Sequence, residues 1–248
     1  MRPRHLLAAL LGVLPALGLH AEDLAEVCHA SSSYDLTLRP DGLLFDRAQP
    51  APRQVLLHDG ALRTDGTPVR LHAEDQDRLA VFERELRALA PRVRTVGQNG
   101  VDLAARAMHE EAAGLRLDAA TLAELDHRLA QRAQELKARI AASQSTHDWQ
   151  DADAYANQIA GDVVPLIAGA LGQQALQAAV GGDLEGAAGL RDRAADLATR
   201  LRPRLEQRMQ ALRPQIQALC PSIRRLAELQ EGVRDGSGRP LDLVELGR

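Results

Sequence analysis

The spacing of the apolar residues changes near residue 73, and this change restricts the fold of the 248-residue chain more than any other feature. Before it, Tyr34, Leu36 and Leu38 alternate with polar residues, which is the period of a half-buried strand. After it, apolar residues recur every three or four positions on one helical face: Leu79, Phe82, Leu86 and Leu89. Strands followed by helices predict an α+β protein with a small sheet packed on a dominant α-helical bundle.

Turn signals divide the first part of the chain into short strands. Pro40-Asp41-Gly42, Asp59-Gly60 and Asp65-Gly66 combine residues that preset φ with residues that tolerate a positive φ. We therefore expect an antiparallel meander of four or five strands within residues 22–72. Leu241-Asp242-Leu243 alternates again, so residues 235–248 are predicted to return as a C-terminal strand that joins this sheet.

Residues 73–234 are predicted to form the helical bundle. In its first helix Pro91 marks a break or a new first turn, and Asp118 is a suitable N-cap for the next helix. Gly181-Gly182 is expected to end a later helix, because glycine accepts the left-handed conformation that follows a helix. We expect residues 22–248 to fold as one domain.

The last part of the bundle carries a regular apolar stripe. It is compatible with an intramolecular core or with a dimer seam, so the chain is expected to be a monomer or a homodimer. Pro203 and Pro214 should bend or divide this helix, because each lacks a backbone donor, and Pro221 adds a third such position. The residues of the stripe are Leu201, Leu205, Met209, Leu212, Ile216, Leu219, Ile223 and Leu226.

Residues 150–180 are unusually apolar and rich in small side chains. The interpretation that we favour is a central buried helix, kinked near Pro165. A membrane segment is less favoured because Asp162 and three glutamines interrupt the run. Alternatively, the stretch lines a cleft for an apolar or amphipathic ligand. The possible ligand or helix-packing residues are Ile159, Val163, Val164, Ile167 and Leu171.

The first residues have the pattern of a secretory signal peptide. Arg2 and Arg4 precede an apolar run over residues 6–19, and small Ala21 is placed for cleavage before acidic residues. The run is too short to span the bilayer and contains a proline, so no transmembrane segment is expected after cleavage. Residues 1–21 are therefore predicted to be removed, and the mature protein to be secreted into the periplasm of a Gram-negative envelope.

The predicted mature chain contains two cysteines, and its predicted compartment is oxidising. Cys28 and Cys220 lack the C-x-x-C spacing of a redox site, so we favour a structural disulfide bond between them. Two free thiols or a bond between chains are the alternatives.

Composition argues against several classes of partner. Aromatic residues are only 2% of the chain, so stacking platforms for bases or sugars are scarce. The net charge is −4 and no basic block follows the leader, so no nucleic acid partner is expected. The expected partner is an unknown envelope protein or a small apolar ligand.

Motifs for catalysis and metal binding are missing from the sequence. His109-Glu110-Glu111 lacks the second histidine of a zinc protease helix. The residues 148–153 lack the glycine and final glutamate of a calcium loop, and Asp35, Asp46 and Asp59 lie near strands without evidence of pairing. We therefore predict no catalytic residue, no metal ligand and no cofactor.

Several short segments resemble the YggN-like family of exported proteobacterial proteins of unknown function. These segments are Cys28 followed by SYDLTL at 33–38, the two Asp-Gly hairpins, the helix that starts at 73, and Leu219-Cys220-Pro221 followed by Leu241-Asp242-Leu243. His72 departs from the serine cap that is usual in this family. The resemblance implies export and a layout of strands followed by helices, and it brings no catalytic residue.

These observations predict an exported, non-enzymatic envelope protein that binds a partner or acts as a scaffold. A carrier of an apolar ligand through residues 159–180 is the first alternative. A hydrolase of an unrecognised kind is the second.

Overall fold

The structure, a computed structural model, describes residues 26–115, 117–149, 152–190, 192, 203 and 207–247, with only the backbone of 152–158, 160 and 164. The predicted signal peptide, residues 1–21, lies outside the described residues. The described residues form two compact units. The sheet unit comprises 26–97, 140–149 and 212–247, and the helical unit comprises 98–139 with the described part of 151–211.

The sheet unit contains the predicted meander. Its strands are β1 (Ala30–Ser31), β2 (Asp35–Arg39), β3 (Gly42–Asp46), β4 (Gln54–His58), β5 (Ala61–Thr64) and β6 (Thr67–Pro68). Strands β2 to β6 form one antiparallel sheet in sequence order. Two of its turns are two-residue turns in which both residues have a positive φ, namely Asp59-Gly60 at 47° and 81° and Asp65-Gly66 at 47° and 80°. This is the turn geometry that Asp-Gly favours in hairpins.

The C-terminal strand returns, as predicted, but at a different place. It is β7 (Glu245–Leu246), and it pairs with β1 as a separate two-stranded sheet. The prediction of a strand at Leu241-Asp242-Leu243 in the meander is wrong. Leu241 and Leu243 are buried in the core instead. The buried amide of Gln230 accepts hydrogen bonds from the N–H groups of Leu243 and Val244, so a side chain replaces a strand partner there.

The first helix, α1 (Ala73–Ala113), continues through Pro91, so the predicted break is wrong. Proline removes one hydrogen bond from the helix. Pro91 is exposed, whereas Phe82 and Leu89 before it and Val96 after it are buried. Burial of apolar residues on both sides of the proline outweighs the missing bond.

The next two helices have the boundary residues that the sequence predicts. Helix α2 (Ala119–Ala142) starts after Asp118, whose carboxylate accepts the N–H of Thr121 at 2.9 Å. Helix α3 (Ala152–Val180) is followed by Gly182, which has a φ of 84°. The N–H of Asp183 donates to the carbonyl of Ala178 at 2.8 Å. This six-to-one hydrogen bond after a left-handed glycine is a Schellman motif.

The C-terminal helical segment is divided, as its prolines predict. A 3₁₀ turn (Gln210–Leu212) leads into α4 (Arg213–Gln217) and then α5 (Cys220–Gln230), each with a proline at its first or second position. Leu201 and Leu205 lie outside the described residues, as do the neighbours of Pro203. The described end of the apolar stripe is an intramolecular core, because five residues of it are buried in the sheet unit: Leu212, Ile216, Leu219, Ile223 and Leu226.

The core of the sheet unit joins strands to helices. Three aromatic rings form a line from the sheet to α1, with Phe45 centred 6.4 Å from Tyr34 and 6.2 Å from Phe82. The residues without exposed surface here are Leu43, Val55, Leu57, Leu79, Phe82 and Leu243. The α+β class that the sequence predicts is confirmed.

Candidate functional site

Two histidines meet carboxylates on the sheet unit, and neither group was predicted as a site. The first lies where the β4–β5 hairpin meets α1. His58 Nε2 lies 3.7 Å from Asp59 Oδ2. Glu83 reaches the same place from α1 and accepts the N–H of Asp59 at 2.9 Å. A ligand atom from each of His58, Asp59 and Glu83 lies within 4.8 Å of the others.

Arg87 completes this group from the next turn of α1. Its Nε and Nη2 lie 3.0 and 2.7 Å from Glu83 Oε1. Its Nη2 also donates to the carbonyl of Arg39 at 2.8 Å. Because Glu83 is buried, its charge requires such partners. The Asp59-Gly60 turn is recognisable in the sequence, but Glu83 lies 24 residues further along the chain and has no local signal that links it to the turn.

The second group surrounds His147, in the 3₁₀ turn Thr146–Trp149. Asp35 and Asp46 are directly opposite each other on β2 and β3. Like charges in such positions repel each other. His147 lies between them, with Nδ1 3.6 Å from Asp35 and Nε2 3.2 Å from Asp46. The carboxylate pair that the sequence left open is therefore formed across two strands.

The segment that carries His147 covers the edge of β2. The N–H of Leu38 donates to the carbonyl of Gln144 at 2.7 Å, and the N–H of Leu36 donates to Thr146 Oγ1 at 2.9 Å. An exposed strand edge invites pairing with other chains. This loop therefore provides hydrogen-bond acceptors for the backbone N–H groups at the edge of β2. His147 directly follows Thr146, one of these acceptors.

The two cysteines are joined, as the sequence predicts. Cys28 and Cys220 form a disulfide bond with a sequence separation of 192 residues. Cys28 precedes β1 and Cys220 begins α5, so the bond fastens the start of the described chain to the C-terminal helix of the same unit.

The candidate ligand stretch of α3 lies partly in the core of the helical unit. Ile159 and Val163 pack with residues of α1 and α2, and Leu171 belongs to a second cluster. Ile167 is partly buried against both clusters. Val164 belongs to α3, but its side chain is not among those that the structure describes. The helix partners of these residues are Ala112, Leu125 and Leu129.

The prediction that this helix is buried is wrong for the described side chains of 161–180, because only one face of that part is covered. Gly161–Val180 is long and apolar enough, by length and composition alone, to cross a membrane, and 18% of its most apolar window is buried. Core helices of soluble proteins also pass this test. The buried residues of α3 follow a single helical stripe, and the residues outside this stripe are exposed or partly exposed.

An apolar surface remains at the end of α3. We call Leu176, Val180 and Leu184 the apolar corner; their exposed fractions are 66%, 82% and 72%. Among the described residues, the large hydrophobic side chains that are strongly exposed are these three and Leu246. The residues of the apolar corner flank the Gly181-Gly182 turn, so these exposed apolar side chains lie on both sides of a change in chain direction.

Buried polar groups of the sheet unit have shifted pKa values. Burial raises the pKa of Tyr34, against the opposing effect of the Arg47 guanidinium, which lies 4.0 Å above its ring. Burial also acts to raise the pKa of Asp235, but hydrogen bonds from Ser237 and Arg239 outweigh it and lower the pKa. Asp235 thus works as the anchor of the 235–239 turn.

A groove of about 410 Å³ lies between α5 and the C-terminal segment. Three acidic residues are among those that line it: Glu228, Glu231 and Asp242. Sites for apolar ligands are lined mainly by hydrophobic and aromatic side chains. Most of its other lining residues are apolar, and none of them belongs to residues 159–180, the stretch predicted as a possible cleft for an apolar ligand.

Comparison with known proteins gives a family but no function. The model of a family described as a protein of unknown function (DUF2884) matches residues 28–239. No curated protein and no solved structure matches the chain. The matched range begins at the first cysteine and ends in the turn anchored by Asp235.

Proposed function

The chain belongs to the DUF2884 family of proteins of unknown function, and on that premise we propose that it is an exported envelope protein that binds a partner without catalysing a reaction. Within this proposal it is one of the YggN-like proteobacterial proteins, acts in the periplasm as a monomer or a homodimer, and loses its leader after Ala21. A disulfide bond between Cys28 and Cys220 is compatible with an oxidising compartment.

The observation that carries the binding role is the apolar corner. Large hydrophobic side chains that remain exposed side by side mark interaction surfaces more often than singly scattered ones do. Leu176 and Val180 are one helical turn apart on α3, and Leu184 follows the turn. We propose that an envelope partner covers this surface.

The packing of α3 favours this role over that of a carrier. Ile159, Val163 and Leu171 contact neighbouring helices of their own unit. Such contacts are the ordinary packing of a helical core. A hydrolase is also less favoured, because the histidine of each histidine–carboxylate group is exposed to solvent, His58 to 54% and His147 to 42%.

The first test is native mass spectrometry of the chain purified gently from the periplasm. We expect a polypeptide that begins at Glu22, contains the disulfide and holds no small molecule. An added mass that is lost on activation would instead support the carrier. Retention of the whole leader in the cytoplasm would contradict export, and a turnover activity that one point substitution abolishes would contradict the non-enzymatic role.

The second test locates the binding surface. A photo-crosslinking side chain is introduced at Val180 and, as a matched control, at Leu246, which is 43% exposed. In living cells we expect a defined crosslinked product from position 180 that position 246 does not give. The variant L176Q/V180Q/L184Q, crosslinked through a neighbouring position on α3, should lose that product. Equal products from both positions would rule out the apolar corner as the specific surface.

A further inference from the structure

The geometry points to a binding site for a divalent transition-metal ion such as Zn²⁺, formed by His58, Asp59 and Glu83. The sequence contains no motif for this site, because its ligands come from the tip of one hairpin and from the third turn of α1. Their ligand atoms lie within 4.8 Å of one another. The set consists of one imidazole nitrogen and two carboxylate oxygens, which suits zinc and its neighbours in the first transition row.

The separation of His58 and Asp59 is close to that of two ligands of one ion. Nε2 and Oδ2 are 3.7 Å apart, which is longer than a hydrogen bond. Two ligands of a tetrahedral ion with bonds of about 2.1 Å are separated by about 3.4 Å. The two side chains are 54% and 90% exposed, so small rotations are enough to bring them to that distance.

Glu83 provides a fixed third ligand. Arg87 contacts only its Oε1, and Oε2 accepts the N–H of Asp59. A carboxylate oxygen has two lone pairs, so Oε2 retains one for an ion. Metal ligands are commonly held in place by such outer hydrogen bonds, and Arg87 would do this for Glu83.

The charges of the group limit the kind of ion. Asp59 and Glu83 contribute two negative charges and Arg87 one positive charge, so one negative charge remains to attract a cation. Ca²⁺ requires six to eight oxygen ligands and Mg²⁺ is poorly suited to imidazole. An ion that bonds strongly to imidazole is therefore favoured, with open positions that water fills.

The backbone holds the two parts of the site together. Asp59 and Gly60 both have a positive φ, and a Cβ on Gly60 would lie 2.3 Å from the carbonyl oxygen of Gln76 in α1. The hairpin tip is thus in direct contact with the helix that carries Glu83. Little rearrangement of the main chain is needed when an ion binds.

The test measures Zn²⁺ binding by isothermal titration calorimetry and the absorption spectrum of bound Co²⁺. The full chain is used without a histidine tag, which would itself bind metal. We expect one bound ion and a Co²⁺ spectrum of four or five ligands. H58A and D59N should each weaken binding by at least about tenfold, because H58A removes one of three protein ligands and D59N replaces a charged carboxylate with a neutral amide, which binds Zn²⁺ poorly. Both side chains are exposed, and asparagine accepts the positive φ of Asp59.

H147A is the matched control, because His147 also lies near a carboxylate, at 3.2 Å from Asp46. Its affinity for Zn²⁺ should equal that of the unaltered chain. Absence of Zn²⁺ binding, an unchanged affinity in both H58A and D59N, or a loss of binding in H147A alone would each overturn the proposal. None of these results would affect the proposed role of the apolar corner.

Discussion

At the scale of single residues, the sheet unit depends on a few buried polar side chains. The side chain of Asp235 is 3% exposed and pairs with Arg239 at 3.0 Å. It also accepts the N–H groups of Ser237 and Arg239, at 2.8 and 2.9 Å. A buried charge with several partners is strongly destabilising when one of the partners is lost.

Replacement of this carboxylate should lower stability in a pH-dependent way. D235N is expected to reduce the free energy of unfolding at neutral pH by about 1–3 kcal/mol. The pKa of Asp235 is lowered in the folded state. Its contribution is therefore present above its unfolded pKa of about 3.9 and is lost as the pH falls through the folded pKa. Urea denaturation of both proteins between pH 7 and pH 3 measures the difference.

D242N is the control for this prediction, because Asp242 is exposed in the same segment. Its effect should be small at every pH. A D235N protein as stable as the unaltered chain at pH 7, or a difference that is the same at pH 3, would show that Asp235 does not anchor the turn.

At the scale of the elements, backbone conformation decides where the helices end. Gly182 has a φ of 84° and open space where a Cβ would stand. Gly172 lies inside α3 and also faces open space. The two glycines therefore differ in backbone conformation and not in steric surroundings.

Alanine should have opposite effects at these two glycines. G182A is expected to destabilise the helical unit by about 1–2 kcal/mol, because a Cβ is strained in the left-handed region. G172A is expected to stabilise it by about 0.5–1 kcal/mol, because alanine is the better helix former. Thermal unfolding followed by circular dichroism gives both values. The same sign of change for both variants would contradict the Schellman ending.

At the scale of the whole molecule, the disulfide closes most of the described chain into a loop. The separation of 192 residues between Cys28 and Cys220 corresponds to a chain-entropy stabilisation of up to about 5 kcal/mol. The effect arises mainly in the unfolded state.

Removal of this bond should reduce stability without a change of fold. C28S/C220S is expected to unfold at a lower urea concentration than the oxidised chain, by as much as about 5 kcal/mol in free energy. The unaltered chain under reducing conditions should match the variant. Equal stability of oxidised and reduced protein would contradict the structural role of the bond.

The prediction that residues 22–248 form one domain also concerns the whole molecule and can be tested by unfolding. If residues 22–248 are one domain, both units should unfold together. Trp149 is the single tryptophan and belongs to the sheet unit, so its fluorescence reports that unit, while far-ultraviolet circular dichroism reports mainly the helices. We expect coincident urea transitions. Two separated transitions would show two domains.

Local physics explains what the sequence alone determined. The strand at Asp35–Arg39, the Asp-Gly turns, the Asp118 cap and the Gly181-Gly182 ending all depend on residues close together in the chain, and each appears in the structure. The cysteine pairing also followed from the sequence, because only two cysteines are present. Periodicity and turn chemistry are local properties, so they can be recognised without a fold.

Tertiary packing decided the rest. Burial on both sides of Pro91 keeps α1 continuous, and Gln230 takes the bonds that a strand at 241–243 would have made. His58 and Asp59 meet Glu83, and His147 meets Asp35 and Asp46, only when distant segments fold together. Neither grouping has a fixed spacing along the chain, since the distance between its members depends on how a hairpin or a loop lies against a helix or a strand edge. The candidate sites therefore required the structure, whereas the elements that carry them were largely determined by the sequence.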